Sequence, residues 1–265
     1  METRFKLLPL LLLLTLPAPG QAQFTFMTNN GAITITGHTG SVASVTNVTI
    51  PSTINGHPVT TIGNEAFEGC ADLTNLSIPN SVTSIGYNAF NFCASLTSIS
   101  IPNSVTIIGS EVFSSCSNLT SATIGSGLTN LGVIAFSECT SLTGVCFRGN
   151  APGAASTVFS GDTNATVYYL PGTTGWYTPF GGCSNVVLWN PQVQTSDGSF
   201  GVRTNHVGFN ITGTSNLVIV MEACTNLANP VWSPLQTITL TGSPAYFSDP
   251  NWTNYPSRFY GLGVP

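Results

Sequence analysis

The chain has 265 residues, of which only 6% are charged, and a formal charge of −5. Its cations are Arg4, Lys6, Arg148, Arg203 and Arg258. So few and so scattered, they cannot neutralise a run of phosphates or hold an anionic membrane surface, which excludes nucleic acid and anionic lipid as partners. Polarity comes instead from Ser, Thr and Asn, as suits a surface that works by neutral hydrogen bonds.

The N-terminus reads as a secretory signal over residues 1–22. Arg4 and Lys6 precede the apolar run "LLPLLLLLTL", and "APGQA" puts small residues before a cleavage point at Ala22. The run is too short to span a bilayer, no later segment is long and apolar enough to do so, and no cysteine follows it as a lipid anchor would require. The expectation is an exported chain of charge −6, nine acids against three arginines, with no lysine.

From residue 62 the chain repeats itself every 23 residues. Phe67, Phe90, Phe113 and Phe136 form one column, and Leu73, Leu96, Leu119 and Leu142 another. Ile78, Ile101, Ile124 and Phe147 form a third, and Gly63, Gly86, Gly109 and Gly132 a fourth. Within a copy, "LTNLSIP", "LTSISIP" or "LTSATIG" alternates apolar and polar residues as a short strand does, and Pro79 and Pro102 stop it. The Gly column is expected to supply positive φ at a corner. The Ala-Phe segment reads as a short turn or a single helical turn.

One copy buries about seven apolar side chains, roughly 10–20 kcal/mol. Ordering its backbone costs about 1–2 kcal/mol per residue. A copy cannot stand alone, and stacked copies that share a core make a solenoid.

Cys70, Cys93, Cys116 and Cys139 follow the same period. Coils stacked at about 4.8 Å put their sulfurs in a line, whereas zinc needs four ligands around one point. A disulfide between neighbours has an allowed Cα spacing, but ladder side chains run parallel. Buried, unpaired thiols are the expectation. Cys146, Cys183 and Cys224 show no spacing motif; one pairing among them is open, and the odd total leaves a thiol free.

"IPNSVTSIGYNAFNFCASLTSISIP" resembles the BspA-like leucine-rich repeats of bacterial surface and secreted proteins. The resemblance covers about residues 31–170. The stretch before it is similar to the family's entry segment, with a hairpin at "TNNG". Gly125 and Arg148 depart from the pattern, standing where proline is usual. The resemblance implies a leucine-rich-repeat solenoid, one strand plus a short helical turn per coil, over residues 23–188 with a capping hairpin and a capping final coil. It implies a scaffold for adhesion or binding, not an enzyme.

Around residue 188 the pattern changes. Residues 189–265 carry several short strands with Gly-containing turns, which predicts a small β-sandwich. The ending "FYGL" resembles C-terminal β-modules of secreted environmental-bacterial proteins, with Gly261 where arginine is common. Trp232, Trp252, Tyr255 and Tyr260 read either as sandwich core or as a sugar-stacking platform.

Nothing reads as an active site. His38, His57 and His206 lie outside metal-ligand spacings, and the first two fall in Gly-flanked loops that read as solvated turns. Glu65, Glu68, Glu111 and Glu138 form no carboxylate column, and Asp162 and Asp197 lack the company a calcium loop needs. No catalytic residue, metal or cofactor is expected. The candidate binding residues are three polar columns on successive strands: Thr74, Thr97 and Thr120; Asn75, Ser98 and Ser121; Ser77, Ser100 and Thr123. The resemblance implies a concave strand face there, which would meet an extracellular protein or polysaccharide almost independently of salt. A structural surface-layer role, or that of a polysaccharide-binding accessory protein, is the alternative.

Overall fold

A computed structural model describes residues 23–39, 45–203, 205–215 and 217–263. The expected signal peptide, residues 1–22, lies outside the described residues.

The first strands, Gln23–Asn29 and Ala32–Thr39, form an antiparallel hairpin. It turns at Asn30 and Gly31, both with positive φ, as a tight two-residue turn requires. Ala32–Thr39 then pairs in parallel with His57–Ile62, which starts a ladder that continues through Ser84–Ile85, Ile107–Ile108, Asn130–Leu131 and Gly153–Ala154. A second parallel sheet joins Ser98–Ile101, Ser121–Ile124, Gly144–Phe147, Thr166–Tyr169 and Val186–Leu188. Asn75–Ser77 pairs with Asn47–Thr49 as a separate two-stranded sheet. Each full coil thus contains two strands, one more than the alternation within a copy predicts. The chain is a β-solenoid.

The Ala-Phe segment forms the turn and not the helical turn. Asn88 and Phe92 have φ of 55° and 59°, and Glu111, Ser115, Ile134 and Glu138 repeat that left-handed conformation 23 residues apart. Alternate amides along the segment bond to the next coil, while those between, such as Asn91 N to Asn88 O, close turns within their own. Phe67 N donates to Ala89 O at 2.9 Å and Phe90 N to Val112 O at 2.9 Å. A third hydrogen-bonded ladder therefore runs along this edge, and it outcompetes local helix.

The Gly column serves close approach and not positive φ. A Cβ on Gly109 would lie 2.8 Å from Tyr87 N and 2.9 Å from the Gly86 carbonyl carbon, closer than real Cβ contacts come.

Between the ladders the apolar columns fill the interior. Phe67, Phe90, Phe113, Phe136 and Phe159 stack face to face at 5.3–5.7 Å. The thiols line up beside them: Cys93, Cys116 and Cys139 each donate Sγ–H to the carbonyl of residue 67, 90 or 113, at 3.4, 3.3 and 3.1 Å. Burial pushes the Cys116 thiol up to about 12. All seven cysteines are buried and unpaired.

His38 differs from the solvated turn expected of it. It lies on the hairpin's second strand, stacks on Phe67 at 5.7 Å and sets Nε2 3.3 Å from Cys70 Sγ, so it closes both columns at the N-terminal end. At the other end Asp162 stands in the cysteine register, 23 residues after Cys139.

After Leu188 two small antiparallel sheets follow. One contains Gln192–Gln194, Gly201–Val202, Val207–Thr212 and Ala245–Asp249; the other Val218–Cys224, Ser233–Thr239 and Phe259–Gly263. Phe209, Ile211 and Phe247 from the first share a core with Ile219, Met221 and Ile238 from the second. Cys146 and Tyr168, whose side chains leave the solenoid on its long-strand face, belong to that same core. The second unit is packed directly onto the solenoid's last long strands. Among the described residues no helix is long and apolar enough to cross a membrane.

Candidate functional site

Six of the nine candidate residues lie on strands, and Thr74, Thr97 and Thr120 each come just before one. Ser98 lies opposite Ser121, and Ser100 opposite Thr123, in a parallel ladder whose inward residues Ile99, Ile101, Ala122 and Ile124 are buried. Thr74, Asn75, Ser77, Thr97, Ser98, Ser100 and Thr120 are exposed, while Ser121 and Thr123 are half-buried. Asn75 and Ser77 sit on the separate two-stranded sheet, with Thr74 just before it, so the face is broken between them and Ser98–Ile101.

The three columns differ in what their polar atoms already do. Thr74 Oγ1 donates to Thr46 O at 3.0 Å, and Thr120 Oγ1 to Thr97 O at 2.9 Å. Asn75 Nδ2 donates to Asn47 Oδ1 at 2.8 Å. These groups stitch coil to coil. The hydroxyls of Ser77, Ser98, Ser100, Ser121 and Thr123 make no side-chain hydrogen bond to the described protein and face outward. The next members of their columns, Gly144 and Cys146, are buried, Cys146 against the second unit's core.

Two cavities open on this face. One, about 370 Å³, is lined by Ser77, Asn80, Ser100, Asn103 and Arg148, beside the break between the two sheets. The other, about 450 Å³, lies where the second unit meets the strands, lined by Ser121, Thr123, Arg148, Trp189 and Glu222 among others. Arg148 belongs to both. Arg203 donates to the Gly198 carbonyl and Arg258 pairs with Asp249, whereas the Arg148 guanidinium has no hydrogen bond or ion pair to the described protein. Trp189 Nε1 is buried without a partner. Burial pushes the Cys146 thiol up, and the Arg148 charge beside it draws it partway back.

Neither Arg148, Trp189 nor Glu222 is among the residues predicted from the columns. For Arg148 a signal existed, since it breaks the proline register of Pro79 and Pro102. Trp189 and Glu222 come from outside the repeat and reach the site only through packing.

Elsewhere, Asp197 accepts from Ser199 N, Ser199 Oγ and Asn210 Nδ2, which closes a turn and leaves its carboxylate engaged. Asp162 is buried with neither carboxylate oxygen partnered, and burial pushes its carboxyl up to about 7. Among the described residues no group of three His, Cys, Asp or Glu gathers as metal ligands would. In the second unit, Tyr260 packs on Phe247 at 5.7 Å and donates to Asp249 Oδ2 at 3.0 Å, so it is core. Trp232 and Tyr255 remain exposed. The Trp232 ring lies over Gly261, where a Cβ would come within 3.1 Å of it, so an arginine side chain at 261 would have to displace that ring.

A repeated coil with two strands, a buried Phe–Cys–Leu interior and an outward hydroxyl ladder defines a leucine-rich-repeat scaffold. Residues 38–166 match the BspA type leucine rich repeat region in six copies, and over those residues the chain belongs to that family. Proteins of this type are generally surface-associated binding scaffolds. Among solved structures, a leucine-rich repeat protein of T. pallidum is 24% identical, with a TM-score of 0.45, over 61% of this chain and 87% of that one. One from Bacteroides ovatus is 28% identical, TM-score 0.40, over 58% and 46%, and a leucine rich cell surface protein of Faecalibacterium prausnitzii 25% identical, TM-score 0.39, over 56% and 54%. A comparison with curated proteins found no match.

Proposed function

We propose that the chain is an exported binding scaffold, secreted or held at the extracellular surface, that recognises an extracellular protein or polysaccharide through the outward residues of its long strands. In this reading residues 1–22 are a removed leader, residues 23–188 the recognition solenoid, and residues 189–265 a module that walls one end of the face. The reading requires neither cofactor nor catalytic group.

One observation carries it. Ser98, Ser100, Ser121 and Thr123 hold unspent hydroxyls in fixed register on a backbone already ordered by the ladder. Binding there immobilises little that is free, so many weak hydrogen bonds add with small entropic loss. The exposed Thr74 and Thr120 hydroxyls are already engaged between coils and contribute less to contact.

The test is retention of the purified chain on extracellular polymers and secreted proteins, with Ser98, Ser100 and Ser121 replaced together by Glu. Loss of retention with unchanged thermal unfolding is the expected result. Undiminished retention moves the site off these strands and onto the second unit. Ordered self-assembly without any ligand would favour the surface-layer role.

A further inference from the structure

We propose that the cleft between the long strands and the second unit is the anchoring subsite for a carboxylate-bearing glycan, a uronate chain, whose carboxylate Arg148 holds. The inference rests on the binding reading above and names its ligand class.

Unpaired donors line the cleft. Exposed Arg148 presents a guanidinium with no partner in the described protein, and Trp189, whose Nε1–H is buried without an acceptor, lines the same cavity. The Ser121 and Thr123 hydroxyls line the same cavity. The unpaired guanidinium of exposed Arg148 and the two free hydroxyls on one cleft suit a ligand rich in oxygen acceptors. The planar fork of arginine matches a carboxylate in bidentate geometry.

Glu222 narrows the class. Its carboxylate lies against the Gly263 backbone at the wall of the cleft, and it can only accept when ionised. A plain polyanion brings it no donors and repels it. A sugar ring with one carboxylate and several hydroxyls supplies both sides: the carboxylate to Arg148, hydroxyl donors to Glu222. The cavity's 450 Å³ lies within the range of small-ligand sites and suits a unit or two of a chain. The adjoining 370 Å³ cavity, which shares Arg148 and adds Ser77, Ser100 and Asn103, provides the path for the chain to continue across the coils.

The experiment is isothermal titration of the full purified chain with oligogalacturonate, oligomannuronate and hyaluronan fragments, each against its carboxyl-reduced counterpart, and with poly-L-glutamate. At least one uronate chain should bind. Carboxyl reduction and Arg148→Gln should each weaken it about tenfold or more, the scale of one charge-assisted pair. The two losses should not add, because they remove the same contact. Arg148→Lys should fall between, and raised salt should weaken the wild type more than Arg148→Gln. Thermal unfolding of Arg148→Gln should match the wild type, since the side chain has no partner to lose. No binding by any uronate chain, equal binding of the reduced counterparts, or equal binding of poly-L-glutamate overturns the proposal. Glycan binding that the Ser98/Ser100/Ser121 change abolishes and Arg148→Gln leaves intact overturns the anchor while sparing the scaffold reading.

Discussion

Phe90→Ala tests whether the solenoid interior is one continuous core. Phe90 is fully buried and stacks at 5.3 Å on Phe67 and 5.6 Å on Phe113, nearly parallel to both. Truncating a buried Phe costs about 3–5 kcal/mol, the transfer term plus the cavity that incomplete collapse leaves. Collapse is hindered here, because ladders tie the coil of Phe90 to the following coil on three edges and to the preceding one on two. Each ring pair adds about 0.5–1.5 kcal/mol beyond area burial. Phe159 ends the column with a single Phe neighbour, Phe136. Phe90→Ala should therefore sit near the top of that range, about 1 kcal/mol more destabilising than Phe159→Ala. Urea unfolding of both variants measures the difference, and hydrogen exchange locates it. Faster exchange should spread into the coils containing Phe67 and Phe113. Loss of protection confined to the mutated coil, or equal costs at the two positions, refutes a shared core.

Cys93→Ala should cost on the order of 1 kcal/mol and leave the fold intact, because it removes only a small buried group and a weak S–H bond to Phe67 O. Thiol titration should find the Cys93, Cys116 and Cys139 sulfurs unreactive until denaturant is added, and labelling at the native rate of a free thiol would contradict their burial. Asp162 makes stability depend on pH. Its folded carboxyl is pushed up to about 7 from 3.8, so the folded state holds a proton that the unfolded state releases. Stability should therefore fall as pH rises from about 4 to about 7, then level off. Asp162→Asn should flatten this slope in urea unfolding at a series of pH values, and an unchanged slope would place its origin elsewhere.

The repeat was legible from spacing because identical columns at a 23-residue period admit little besides stacked coils, and the Phe, Leu and Cys interior follows directly from them. The polar columns were legible too, since strand alternation decides which residues face out. What local reading could not supply were the bonds between coils. The Gly column stands where a neighbouring backbone passes within van der Waals contact, and the Ala-Phe segment abandons helix because its amides find carbonyls one coil away. Both are distances between residues far apart in the chain. The same holds for the site. Ser98, Ser100, Ser121 and Thr123 could be placed from sequence, but Arg148, Trp189 and Glu222 share one cleft with Ser121 and Thr123 only because the second unit buries Cys146 and Tyr168 against its own core. Periodicity determines what each coil does to its neighbour; only tertiary packing decides which part of the face stays open, because that depends on where a non-repeating unit finds apolar surface to cover.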